Sequence, residues 1–156
     1  MIEIKEHIGN KELLKFYKKA FLCSRRVSAS AVLKCYDWAI EQREKGNCII
    51  SGFHSQIEKD VLHYLLKGKQ PIIVVLARGL KEKLGPEFKQ PIKEGRLLMI
   101  TPFDKEIKRV TEQTASKRNK LMIDLADEVV VGFINKEGLL QKIIGESHKH
   151  IKYILE

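Results

Sequence analysis

The sequence predicts an α/β fold: a mostly parallel sheet of five or six strands, sandwiched in three layers between helices. Two observations carry this. Short apolar runs alternate along the chain with longer stretches of helical periodicity, the pattern of successive βαβ units. Four of the five runs are almost continuously β-branched or apolar, as strands covered on both faces must be. At 156 residues the chain is a single domain, given ~100–200 residues per domain, with residues 1–19 as an N-terminal extension.

Taken in order, Asn10 is placed to cap a short first helix carrying Leu13, Leu14 and Tyr17. Residues 20–23 form the first strand. Val32, Leu33, Tyr36, Ala39 and Ile40 then recur at spacings of three and four over residues 30–45, and Gly46 stops that helix. Residues 48–50 are the second strand. Ile57, Val61, Leu62, Leu65 and Leu66 make the next amphipathic helix, which ends near Lys67 ahead of Gly68 and Pro71. Strands follow over residues 72–76 and 97–100, with no element predicted between them. Residues 106–126 carry a helical pattern interrupted by Thr111, Thr114 and Ser116, so a fresh N-cap is expected at Ser116 and a helix over 117–125. A fifth strand spans residues 128–131, a short helix 138–145, and residues 151–155 are a last strand or a tail.

Lys and Arg number 29 against 20 acids, a formal charge of +9, with 44% apolar and 7% aromatic residues. This is a globular composition whose charge favours polyanions. The longest apolar runs, such as residues 71–77, fall short of the ~20 residues that span a bilayer, and the N-terminus has no signal-type apolar core. A cytoplasmic protein with no membrane partner is expected. Cys23, Cys35 and Cys48 stand 12 and 13 positions apart, without a CxxC pair. They are expected to be reduced, with Cys23 and Cys48 buried on strands. Neither GxGxxG nor GxxxxGK[ST] occurs, so no cofactor is expected. His54 follows Ser51 by three residues without an acid to orient it, and His63, His148 and His150 lack metal-ligand spacing.

Ligands of open parallel sheets bind beyond the carboxyl ends of the strands, where strand order reverses. The loops there read Ser24-Arg25-Arg26-Val27-Ser28, Ser51-Gly52-Phe53-His54-Ser55, Arg78-Gly79 and Thr101-Pro102-Phe103. Arginine forks beside helix N-termini hold phosphates. The candidate binding residues are Ser24, Arg25, Arg26, Ser51, Gly52, His54, Arg78, Gly79, Thr101, Arg118 and Asn119, with Lys117 and Lys120 extending the basic surface. The arginines are expected to be exposed loop charges that contact phosphates, while Ser24, Ser51 and Asn119 donate neutral hydrogen bonds. Phe53 and Phe103 either stack on bases or anchor their loops in the core. Glu58 and Asp104 are the nearest carboxylates for acid–base chemistry.

These loops resemble those of the DNA-processing protein A family (DprA, also called Smf). Residues 21–26, Phe-Leu-Cys-Ser-Arg-Arg, look like its opening strand and G-[ST]-R loop. Residues 51–58, SGFHSQIE, are similar to its S-G-x-A-R-G-I-D turn, and residues 75–80, VLARGL, to its next strand and G-T-G-L loop. Lys117-Arg118-Asn119-Lys120, followed by Leu125-Ala126-Asp127 and Val129-Val130-Val131, look like its R-N-R helix and S-D-x-V-x-V strand. The four blocks run in the family's order over roughly residues 20–145. Cys23 replaces the first glycine, His54-Ser55-Gln56 stand at A-R-G, Glu58 replaces the aspartate, and Asn135-Lys136-Glu137-Gly138 stand at the S-G-[ST] loop. The Arg118 helix is similar as well to that of the cytokinin-activating nucleotide hydrolases of the LOG family, whose P-G-G-x-G-T-x-x-E loop is missing here. The resemblance implies a Rossmann-like, dimeric, non-catalytic domain that binds single-stranded DNA on a basic pocket and assists recombination or DNA uptake, with a recombinase as a possible partner. A second reading fills the same pocket with a nucleotide or other phosphorylated metabolite. DNA needs a basic track running beyond the pocket; a nucleotide needs only a closed cleft.

Overall fold

The structure, a computed structural model, describes residues 2–24, 28–134 and 138–154. Its strands are β1 (Glu6–Gly9), β2 (Lys18–Cys23), β3 (Cys48–Ser51), β4 (Ile72–Val75), β5 (Leu97–Thr101), β6 (Glu128–Phe133) and β7 (His150–Tyr153). They form one sheet in the order β1-β5-β4-β3-β2-β6-β7. Every pairing is parallel except that of β1 with β5. The helices are α1 (Ala29–Lys45), α2 (Gln56–Leu66), α3 (Pro86–Lys93), α4 (Glu112–Leu125) and α5 (Leu139–Gly145), with a 3₁₀ turn at Lys11–Lys15. The architecture is Rossmann-like.

Alternation along the strands explains the two-sided burial. Ala20 and Leu22, Cys48 and Ile50, Ile73 and Val75, Leu98 and Ile100, and Val129 and Val131 share one core with Leu121, Met122 and Ile123 of α4 and Ile143 and Ile144 of α5. Their neighbours Phe21 and Cys23, Ile49, Ile72 and Val74, Leu97 and Met99, and Val130 share the other with Cys35, Trp38 and Ala39 of α1 and Ile57, Val61, Leu62 and Leu65 of α2. A strand sandwiched this way has no polar face, hence its continuous apolar sequence. Phe21 stacks on Trp38 at 5.0 Å between ring centres, seating α1 on the sheet.

The helix ends follow local chemistry. Ser28 accepts from Ala31 N at the start of α1, and Gly46, in the left-handed region at φ 74°, ends it. Ser55 and Glu58 form a reciprocal capping box at α2. The cap of helix α4 is Thr111, five residues before the expected cap at Ser116: Thr111 and Thr114 exchange hydrogen bonds between backbone N–H and side-chain hydroxyl and open the helix at Glu112. Asn10 accepts from Glu12 N, capping a 3₁₀ turn rather than an α-helix.

Two elements have no counterpart in the sequence reading. Helix α3 has Pro86 at its start and Pro91 inside, which masks its helical pattern, and it packs through Phe88 and Ile92, four residues apart. Strand β1 lies in the 1–19 extension and pairs antiparallel at the sheet edge, a partnership 90 or so residues distant that no local periodicity reveals.

Cys23, Cys35 and Cys48 are buried free thiols. Cys23 and Cys35 hydrogen-bond to each other, which together with burial holds the Cys23 thiol far above its usual range. Burial pushes the Cys48 thiol up to about 12. The Cys23–Cys35 hydrogen bond lowers the Cys35 pKa, so it is burial of all three thiols that is expected to make native protein react slowly with a thiol reagent at neutral pH, with three equivalents released once it is unfolded without reductant. A smaller unfolded count would demonstrate a disulfide.

Candidate functional site

The parallel strands deliver their carboxyl ends to one edge of the sheet: Cys23, Ser51, Val75, Thr101 and Phe133 close β2, β3, β4, β5 and β6. The chain fills the order β2 to β5 outward, then returns to place β6 on the other side of β2. The topological switch point therefore lies between β2 and β6, with α1 leaving β2 on one face and α5 leaving β6 on the other. At that point Ser24 N donates to Phe133 O at 2.7 Å. The pairing slips by one residue between Leu22–Val131 and Cys23–Phe133. Gly132 takes up the slip, and a Cβ there would stand 2.6 Å from Cys35 Sγ. Arg25 and Arg26 lie outside the described residues, as do Asn135, Lys136 and Glu137.

Two strand ends are built alike. Ser51 Oγ donates to Phe21 O at 2.8 Å and accepts from Phe53 N at 3.2 Å. Thr101 Oγ1 donates to Arg78 O and accepts from Phe103 N at 3.1 Å. Each hydroxyl has a single proton, and it is spent on a carbonyl, so neither residue donates to a ligand. Both are fully buried. Phe53, at φ 46°, and Phe103 are buried as well and anchor their loops rather than offering faces to bases. Lys117 Nζ stands 5.3 Å from the Phe103 ring centre.

Glu58 and Arg118 lie beneath this surface. Glu58 is 6% exposed; its Oε1 accepts from His54 N and Ser55 N at 2.9 and 3.2 Å, and its Oε2 from Cys23 N at 3.0 Å. One carboxylate thus ties the end of β2 to the first turn of α2. Burial raises its pKa above the ordinary carboxyl value, against the opposing pull of the Arg118 charge and the three N–H donors. Arg118, at 5% exposure, is a buried charge and not the exposed loop charge its position in sequence suggests. Its Nε donates to Asn119 Oδ1 at 2.7 Å, and one terminal nitrogen donates to Val75 O at 3.3 Å. Desolvation lowers its pKa and the Glu58 charge opposes that shift. The guanidinium and carboxylate act on each other through space, beyond ion-pair contact.

Gly52 makes room for this arrangement, since a Cβ there would fall 2.1 Å from the guanidinium. The guanidinium is pinned and cannot swing aside, so Gly52→Ala is expected to cost about 2 kcal/mol by overpacking. Chemical denaturation measures this; an unchanged midpoint would show that Arg118 relocates freely. Gly79 N donates to Ile107 O at 2.8 Å, and the glycine lies flat on the Asp104 carbonyl. Asp104 itself is exposed and paired with Lys5 at 3.2 Å.

Gly52, His54, Arg78 and Arg118 meet in one cleft of about 740 Å³, between α2 and the segment 76–88, above the ends of β4 and β5. Sequence reasoning missed its other lining groups: Lys59, Leu62 and Leu66 of α2, and Lys81, Lys83 and Phe88 across from them. The i, i+3, i+7 spacing of Lys59, Leu62 and Leu66 was legible only as a helix face. No group of three or more metal-binding side chains occurs among the described residues, and no helix there is long and apolar enough to cross a membrane.

A family-wide sequence profile described as DNA recombination-mediator protein A matches residues 7–141. The chain belongs to that family. DNA processing protein A from Helicobacter pylori, whose structure is described as showing a unique single-stranded DNA binding mode, superposes with a TM-score of 0.75 at 18% identity, over 94% of this chain and 69% of that one. DNA processing protein A from Streptococcus pneumoniae gives 0.74 at 19% identity, over 94% of this chain and 53% of the other. At these identities the likeness concerns the fold, and this chain spans little more than half of the pneumococcal protein. No curated protein matches the chain. Within the recombination-mediator fold, the matched region runs from β1 to the start of α5, so it contains every strand end that forms the switch-point edge.

Proposed function

We propose that this recombination-mediator domain binds single-stranded DNA along the carboxyl edge of its sheet, without catalysing a reaction, in recombination or DNA uptake. The observation that supports this is convergence at the switch point. Ser24 at the end of β2 and the N-termini of α1 and α2 gather on one edge, flanked by Arg78 and the exposed Lys117 and Lys120, in a chain of charge +9 whose sequence places Arg25 and Arg26 directly after Ser24. In this reading Arg25, Arg26 and Arg78 contact phosphates, Ser24 and Asn119 lie along the strand's path, and Arg118 supports the surface from below. Ser51, Gly52, Gly79 and Thr101 shape the loops. A homodimer and a recombinase partner follow from the family resemblance.

Fluorescence anisotropy of labelled thymine and mixed-sequence oligonucleotides, at several salt concentrations, tests the proposal. Binding is expected to show little sequence preference, and log affinity to fall linearly with log salt as counterions are released. Absence of binding at low salt overturns it.

A further inference from the structure

We propose that Cys23 and Cys35 form a peroxide-responsive dithiol, which closes to a disulfide and ties the end of β2 to α1. The thiol chemistry stands apart from the DNA reading, and only its consequence for binding rests on that reading. Three observations converge on this pair. The two side chains hydrogen-bond to each other, and a Cβ placed on Gly132 would stand 2.6 Å from Cys35 Sγ and 3.2 Å from Cys23 Sγ, so both sulfurs sit over the same glycine. Cys48 belongs to the core on the opposite face of the sheet, out of reach of either. Cys23 is also the last residue of β2, where its N–H donates to Glu58 Oε2 at 3.0 Å and the next N–H, of Ser24, donates to Phe133 O at 2.7 Å. A thiol that merely fills apolar space needs no second sulfur beside it, whereas two sulfurs in contact are one two-electron oxidation away from a bond.

The reaction balances with hydrogen peroxide as the oxidant. The hydrogen bond from Cys23 favours ionised Cys35 against the opposing effect of burial, so Cys35 supplies the thiolate. Its sulfur attacks one peroxide oxygen, the O–O bond breaks, and the departing hydroxide takes up a proton to leave as water, giving Cys35 sulfenic acid. The Cys23 sulfur then attacks the Cys35 sulfur. The S–O bond breaks, the hydroxyl leaves as water with the Cys23 proton, and the S–S bond forms. Two thiols thus pass two electrons to one peroxide. The burial that slows a bulky thiol reagent is a smaller barrier to hydrogen peroxide, with its two heavy atoms, and Cys23 stands where β2 runs out to the edge. Bonded sulfurs lie closer than hydrogen-bonded ones, so closure draws α1 and the end of β2 together. That movement pulls on the Cys23 and Ser24 N–H groups, whose bonds to Glu58 and Phe133 set the shape of the edge.

The test uses the full chain, reduced, freed of reductant and exposed to hydrogen peroxide. Mass-spectrometric peptide mapping is expected to show Cys23 joined to Cys35 and Cys48 free, so that two of the three thiols are lost on titration of the unfolded chain and dithiothreitol restores them. Oxidised protein is expected to bind a labelled oligonucleotide at least about fivefold more weakly than reduced protein, and to recover with dithiothreitol. Cys35→Ser keeps the size of the side chain but cannot close the bond, and its affinity is expected to stay within about twofold before and after peroxide. Cys48→Ala is expected to behave as wild type. Oxidation spread evenly over the three cysteines, a sulfinic acid at Cys35 without a bond, or disulfides only between chains overturns the proposal. A mapped bond with unchanged oligonucleotide affinity overturns its link to binding. If the reduced protein binds no oligonucleotide, it is the DNA reading that fails, and the mapping alone decides for or against the dithiol.

Discussion

Arg118→Met is expected to destabilise the fold by about 3 kcal/mol at neutral pH, lowering Tm by roughly 10 °C for a chain of this size. Methionine keeps most of the apolar stem, so the loss reports on the charge. Without the guanidinium, Glu58 is left as a buried carboxylate whose only compensation is its three backbone N–H donors, and the Val75 carbonyl loses a partner. The sign with pH follows from the raised Glu58 pKa. A carboxyl that holds its proton more tightly folded than unfolded costs stability as pH rises through the ordinary carboxyl range and on through the folded value. Removing Arg118 raises that folded value further. The deficit of Arg118→Met is therefore expected to be largest at neutral pH and to shrink in acid, where a protonated Glu58 needs no counter-charge. Thermal melts at a series of pH values read this. A Tm within a degree of wild type at pH 7 would show that the buried charges do not depend on each other.

Arg25→Ala/Arg26→Ala is expected to weaken oligonucleotide binding about 100-fold. Hydrogen bonds to charged groups contribute about 1.5–3 kcal/mol each, and two arginine–phosphate interactions at the low end of that range give about 3 kcal/mol. The salt dependence carries the more specific signature. On a single strand, removing one arginine–phosphate interaction flattens the log–log slope by about 0.7, hence about 1.4 for the pair. Loop charges of this kind contribute within ~0.5 kcal/mol to folding, so the melting temperature is expected to stay near that of wild type. This separates the variant from Arg118→Met, whose effect on any ligand would pass through the fold. Unchanged affinity and slope in the double arginine variant would remove the β2 loop from the DNA site.

The buried strands were legible because their chemistry is local. Ile72 to Val75 and Leu97 to Ile100 must be apolar at every position when both faces are covered, and a continuous run shows this without knowledge of its partners. The helices α1 and α2 announced themselves through spacing and through their ends, Gly46 after the first and Gly68 with Pro71 after the second, while their N-terminal caps, Ser28 and the Ser55–Glu58 box, emerged only with the structure. Strand β1 did not, because its stability comes from pairing with β5 across the chain and not from its own four residues. Helix α3 was hidden by Pro91, which the structure tolerates inside the helix while Arg96 N reaches back to its carbonyl at 3.1 Å.

The candidate site divides along the same line. The sequence by itself determined an α/β fold whose loops after β2, β3, β4 and β5 share one edge, because parallel strands cannot end anywhere else. It also determined that basic and hydroxyl groups crowd those loops. Only the tertiary structure decided what each group does there. Ser51 and Thr101 spend their protons on carbonyls of other segments, Phe21 and Arg78. Arg118 and Glu58 are drawn under the surface by Gly52 and by backbone N–H groups from two separate elements, β2 and the start of α2. Arg78 and His54 open into a cleft whose other wall begins at Lys81. A residue's type is written in the chain, but whether its polar atoms face a ligand or a neighbour depends on which distant backbone groups arrive beside it, and that is settled by packing.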